Sequence, residues 1–187
     1  MEKLCKIFLN YLIESHIEEN QYNIYLYGLK CLINELLANI LLLSLAFLFH
    51  TVNETIYWSI GFLLIRTCIG GIHMKTHAGC LTVSTLLGLT CPIINYILNF
   101  VSFNIHIFLW IIFFVIIIFI APVEHKNHPI SHQQQKTLKI RAIIILCILF
   151  LLNLFLHRNI LISLSLTTGV LEAILFSLLA IIPAPLL

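Results

Sequence analysis

Between residues 66 and 80 the chain reads Arg66-Thr67-Cys68-Ile69-Gly70-Gly71-Ile72-His73-Met74-Lys75-Thr76-His77-Ala78-Gly79-Cys80, a cluster of reactive and flexible residues set between two apolar stretches. A cysteine attacks carbonyls as its thiolate; a nearby imidazole can take the proton, and a cationic neighbour lowers the thiol pKa. Cys80 is the nucleophile on offer, His73 or His77 the base, and Arg66 the source of positive field. On a continuous helix His77, three residues before Cys80, is its neighbour, whereas His73 stands about 10 Å away along the axis at ~1.5 Å per residue. His73 can act only if the backbone breaks between it and Cys80, and Gly70, Gly71 and Gly79 supply the freedom for such a break. The sequence contains no Asp, so a third group orienting the histidine would have to be Glu, Asn or a backbone carbonyl.

The same residues admit a second chemistry. His73 and His77 at i, i+4, with Cys80 three further on, form a zinc-like ligand set, and His125, His128 and His132 add imidazoles in a later loop. That alternative is a metal-binding membrane protein or transporter. A metalloprotease version lacks its base, because Met74 stands where the zincin helix carries Glu. For the three loop histidines a solvated loop is the plainer reading.

The elements that would position these groups are set by composition. Of 187 residues 60% are apolar and 10% charged, too oily for a soluble domain, so the bilayer acts as solvent. The expected architecture is an all-α integral membrane protein. Residues 1–34 form amphipathic helices at the membrane interface, with Leu4, Ile7, Phe8, Tyr11 and Leu12 on one stripe and Ile24, Tyr27 and Cys31 on another. Residues 35–187 form the transmembrane domain, with apolar segments near 36–50, 55–69, 80–100, 105–122, 138–157 and 160–182 giving about six spans. The segment at 80–100, with Thr82, Ser84, Thr85, Gly88 and Pro92, is the weakest of these and could be re-entrant. Nothing at the start of the chain reads as a cleavable signal peptide.

Nine of the ten Lys and Arg residues precede span one or lie in the loops at 66–80 and 123–141, and Arg158 lies opposite. The positive-inside rule then puts both termini and both loops in the cytoplasm. Scattered cations and a formal charge of +2 argue against nucleic-acid binding. The six cysteines follow no disulfide framework and read as packing residues apart from Cys80. Trp58 and Trp110 are expected near the membrane interfaces, and Glu35 and Glu172, ionisable groups in or beside spans, are expected to pair with Arg, Lys or backbone, with contact to a substrate as the alternative.

The pattern Arg66-x3-Gly70-Gly71-x-His73-x6-Cys80 resembles the signature of the accessory gene regulator B (AgrB) family. Tyr27-Gly28 with Asn34-Glu35, and the stretch from Ala121-Pro122-Val123-Glu124-His125 through Asn127-His128-Pro129-Ile130, are similar to the family's opening and second cytoplasmic loop. The resemblance implies a membrane cysteine endopeptidase of the bacterial cell membrane, with its active site at the cytoplasmic face. Its substrate would be an AgrD-like propeptide in quorum sensing, cleaved near its C-terminal side through a thioester and closed into a thiolactone or lactone. Cys80 would be the nucleophile and His73 the base, supported by Arg66, Gly70 and Gly71, with His77 as the alternative base. No cofactor or metal is expected, and the protein would be a homodimer.

Overall fold

The computed structural model describes residues 19–70, 77–100, 103–123 and 131–180. Six long helices account for nearly all of them: α1 (Glu19–Leu48), α2 (Val52–Ile69), α3 (His77–Asn99), α4 (Phe103–Ile120), α5 (His132–Phe155) and α6 (Ile160–Leu179). A 3₁₀ turn, Leu156–Arg158, joins α5 to α6. There is no strand among the described residues, as expected of an all-α membrane protein.

Gly28–Leu48, Leu81–Asn99, His132–Arg158 and Ile160–Leu179 are each long and apolar enough to cross a bilayer, and Ile105–Ile120 is a shorter apolar helix. α2 has 18 residues but carries Glu54 and Arg66 within them. The six helices match the six apolar segments. The segment suspected of re-entry is one unbroken 23-residue helix that runs through Pro92, about 35 Å long at ~1.5 Å per residue. Pro92 is exposed on it.

The stripe of Ile24, Tyr27 and Cys31 does not form a separate interfacial helix. α1 continues without a break from Glu19 into the first apolar segment, because no helix breaker stands between them and Gly28 alone costs only about 1 kcal/mol. Residues 1–18, with the first expected amphipathic helix, lie outside the described residues.

α2 and α6 form the centre of the bundle, flanked by α1 and α3 on one side and by α4 and α5 on the other. Buried residues make up 72% of the apolar stretch of α6, against 22% in the Gly28–Leu48 stretch of α1 and 28% in the Leu81–Asn99 stretch of α3, whose outer faces carry bare leucine and isoleucine. Those faces suit lipid rather than water.

Close approach at the centre depends on two glycines. A Cβ on Gly61 would come within 2.7 Å of the Leu166 carbonyl oxygen, and one on Gly169 would overlap the carbonyl oxygen of Trp58. Small residues let membrane helices pack backbone to backbone, where dispersion replaces the missing hydrophobic drive. Gly88 instead leaves room for the Leu42 side chain where α3 meets α1. Around this crossing lies an apolar core of Phe62, Ile65, Trp110, Phe113, Leu146 and Val170, among others.

Interleaved with that core is a series of buried polar side chains, more from α6 than from any other helix. Asn95 donates to Ser165 Oγ at 2.7 Å and accepts from Thr168 Oγ1 at 2.7 Å. Asn153 donates to the Ser163 carbonyl at 2.8 Å and to Thr167 Oγ1 at 3.0 Å. Each bond joins two helices, and in a medium without water such pairs satisfy groups that would otherwise be costly.

Candidate functional site

α2 ends at Ile69 because Gly70 takes φ +83° and ψ −163°, a conformation that only glycine adopts without strain. Its amide still closes the helix by donating to the Arg66 carbonyl at 2.9 Å. Two elements hold this corner. Ser177 Oγ on α6 donates to the Gly70 carbonyl at 2.7 Å, and Val123, at the start of the second loop, donates its amide to the Ile69 carbonyl at 2.8 Å. A Cβ on Gly70 would also stand 3.0 Å from the Val123 carbonyl oxygen. The two loops that sequence places on one side of the membrane therefore meet at Gly70.

One turn before this corner Arg66 is buried, 8% exposed. Its guanidinium lies between the rings of Phe62 and Phe176, at 5.4 and 4.9 Å from their centroids. Nη1 reaches Ser84 Oγ on α3 at 3.5 Å and Glu35 Oε2 on α1 at 3.9 Å. A charge in this setting needs such partners, since desolvation without them is expensive. The cation expected near the thiol is thus fixed by four elements: its own helix, α1, α3 and α6.

Glu35 pairs with a cation as expected, but Glu172 does not. It is buried, 4% exposed, and accepts from Trp58 Nε1 at 3.1 Å and Thr90 Oγ1 at 3.0 Å. Its ligands are neutral donors from α2 and α3. Trp58 is correspondingly no interfacial anchor, because its N–H is consumed inside the bundle and its ring stacks on Phe62 at 4.8 Å. Trp110 is likewise buried, packed on Phe113 and Phe150.

α3 starts at His77 and carries Gly79 and Cys80 in its first turn. Gly79 is therefore helical, and no chain break falls there. His77 and Cys80 share this turn at i, i+3, while Gly71 and His73 lie outside the described residues, as do residues 124–130 of the second loop. α2 has ended by Gly70, ahead of His73, and residues 77–80 are helical, so the break expected between His73 and Cys80 falls on residues outside the described ones. Among the described residues no group of three or more His, Cys, Asp or Glu could hold a metal ion, and the proposed zinc set includes His73, outside that range. Cys31, Cys68, Cys91 and Cys147 are in no disulfide, and Cys68 and Cys91 are buried, in keeping with packing roles for those two.

The hydroxyl and amide network of α6 escaped the sequence reading, as did the Arg66 cage. Its signal was available: Ser163, Ser165, Thr167, Thr168 and Gly169 interrupt an otherwise apolar run.

A family model for accessory gene regulator B matches residues 5–182. The chain belongs to the accessory gene regulator B family. Similar proteins include an AgrB-like protein of Clostridium beijerinckii, 30% identical over 139 residues, covering 71% of this chain and 67% of that one. Accessory gene regulator protein B of Staphylococcus lugdunensis is 28% identical over 157 residues, covering 83% and 82%. Its counterpart in Staphylococcus haemolyticus is 26% identical over 128 residues, covering 67% and 66%. No solved structure matches. This member of the AgrB family is a multi-pass membrane protein in which the motif residues Arg66 and Gly70 lie at the end of α2, with Cys80 opening α3.

Proposed function

We propose that the chain is a membrane cysteine endopeptidase of a quorum-sensing system, acting on an AgrD-like propeptide at the cytoplasmic face. Family membership carries this reading. The corner at Gly70 supports it, because there the first loop is tied to both the second loop and α6.

In this mechanism His73 takes the proton of Cys80, and the thiolate attacks a carbonyl on the C-terminal side of the propeptide. The tetrahedral centre collapses, the C–N bond breaks, and the tail departs with its new amine protonated by His73. The remaining N-terminal part is held as a thioester on Cys80. A thiol or hydroxyl within the peptide then attacks that thioester, forming a thiolactone or lactone and returning the thiol of Cys80. Tethering makes this second step effectively unimolecular, and a site shielded from water slows the competing hydrolysis.

Arg66 is a positioning residue in this scheme. Its guanidinium is held by Phe62, Phe176, Ser84 and Glu35, and it fixes the end of α2 against the helix that carries Cys80. Gly70 and Gly71 let the chain turn from α2 so that His73 can approach Cys80. His77 is the alternative base, and the two histidines are separable by substitution.

The test is cleavage of the cognate propeptide by protein in lipid vesicles. Cys80→Ala and His73→Ala are expected to abolish it, with His77→Ala retaining it. Retained cleavage in the Cys80→Ala protein would end the proposal; loss with His77→Ala and not with His73→Ala would reassign the base. The AgrB resemblance also carries a homodimer, for which cross-linking in intact membranes is the check.

A further inference from the structure

Along the outer side of α5 the exposed residues Ile140, Ile144, Ile148, Leu151 and Phe155 recur at three- and four-residue spacing, so they form a single apolar stripe turned away from the bundle. Acyl chains cover such a stripe. Lys136 stands one turn ahead of Ile140 and Arg141 directly after it, both exposed, so two cations flank the head of the stripe. Lys139, between them in sequence, is half-buried.

The depth of these cations follows from helix length. No charged residue occurs between Arg141 and Arg158, and from Lys139 to Arg158 the helix rises about 29 Å at ~1.5 Å per residue. The hydrocarbon core is roughly 30 Å thick. With Arg158 at one boundary, Lys139 and Arg141 lie at the other, and Lys136 stands about 4.5 Å further out, at the level of the headgroups. Nothing there neutralises them. α5 contains no Asp or Glu, and none of the three cations pairs with a carboxylate among the described residues. The loop ahead of α5 brings one, Glu124, beside Lys126. The capping box of Ser131 and Gln134 is uncharged as well, so the positive end of the helix dipole is not offset.

We propose that this face of α5 binds an anionic phospholipid, its phosphate held by Lys136 and Arg141 and its acyl chains lying along Ile140, Ile144 and Ile148. Side chains on a helix lean toward its N-terminus, and long cationic ones at a membrane boundary extend toward the headgroups, which brings Arg141 up toward the level of Lys136. Arginine offers the phosphate oxygens a planar fork, and lysine adds a point charge. A zwitterionic lipid fits less well, because its headgroup sets a cation of its own against these two. The positive-inside rule assigns this end to the cytoplasmic leaflet, where anionic lipids make the surface potential negative. An acidic peptide would match the charge, but it has no use for the apolar stripe below. The site is independent of the endopeptidase proposal, since its readout is lipid binding and not cleavage.

The test is native mass spectrometry of the full-length chain in detergent, titrated with phosphatidylglycerol or with phosphatidylcholine, with the unfolding temperature measured alongside. Phosphatidylglycerol is expected to be retained more tightly and to raise the unfolding temperature more. Lys136→Gln and Arg141→Gln should each weaken phosphatidylglycerol binding about fivefold, and the double variant about twentyfold, while Arg158→Gln at the far end should leave it unchanged. The charge-preserving Lys136→Arg should bind as the parent does, and the Gln variants should unfold at the parent's temperature in phosphatidylcholine, which separates a lost ligand from a lost fold. Equal retention of the two lipids, or unchanged phosphatidylglycerol binding in the double variant, would overturn the proposal. Binding of a soluble oligoglutamate that the double variant loses, with its phosphatidylglycerol binding intact, would give the two cations to an acidic peptide instead.

Discussion

Arg66 combines a full charge with almost complete burial, and its surroundings explain how. Two aromatic faces and two oxygen-bearing side chains replace its water, and the planar guanidinium suits all four together. Lysine keeps the charge but loses the stack and the fork. Arg66→Lys is therefore expected to lower propeptide cleavage by about thirtyfold, since a desolvated cation–π contact is worth roughly 2 kcal/mol and each ~1.4 kcal/mol is a factor of ten; equal rates in the two proteins would show that only charge matters. Glu172 allows a similar separation of shape from charge. Glu172→Ala leaves Trp58 Nε1 without its acceptor and should cost about 1–3 kcal/mol in unfolding in detergent, whereas Glu172→Gln keeps an acceptor and should cost less than ~1 kcal/mol. Equal losses in the two variants would mean that the carboxylate's charge, and not its hydrogen bonds, holds the helices.

At the level of elements the decisive contact is the crossing of α2 and α6. Gly169→Ala places a methyl group against the Trp58 carbonyl, and both helices must move apart; overpacking of this kind costs typically 1–3 kcal/mol. Gly28→Ala is the counterpart. Nothing lies within 4 Å of that Cβ, so helix propensity alone acts, and a gain of about 0.5–1 kcal/mol is expected. Thermal unfolding of both variants tests the pair, and destabilisation of similar size in each would show that the crossing is not special. Hydropathy revealed the six helices, because a long apolar run has few alternatives in a membrane. It did not reveal which helix lies at the centre. That follows from which small and polar residues face each other, as Gly61 faces Leu166 and Asn95 faces Thr168, and a single sequence does not record such pairings. The candidate site divides in the same way. Arg66, Gly70 and Cys80 were readable as a motif, while Phe176, Ser84 and Ser177 reach it from segments far along the chain.

For the whole molecule the testable quantity is orientation. Among the described residues Lys30, Arg66, Lys136, Lys139 and Arg141 lie on the parts of their helices nearer the Gly70 end, and Arg158 lies at the other. In a cysteine-free background, His50→Cys should react with an impermeant maleimide on intact cells, and Lys136→Cys only after permeabilisation. The reverse labelling pattern would invert the topology and put the Arg66 site outside.

The hydroxyl-rich face of α6 also bears on how the protein is made. Ser165, Thr168 and Glu172 find their partners on α2 and α3, which leave the ribosome well before α6 does. Until α6 joins them, Trp58 and Thr90 lack the acceptor that Glu172 supplies, and Glu172 is an unpaired carboxylate in an otherwise uncharged helix. Pairing of Glu172 with Trp58 and Thr90 therefore couples the insertion of α6 to α2 and α3 already in the membrane.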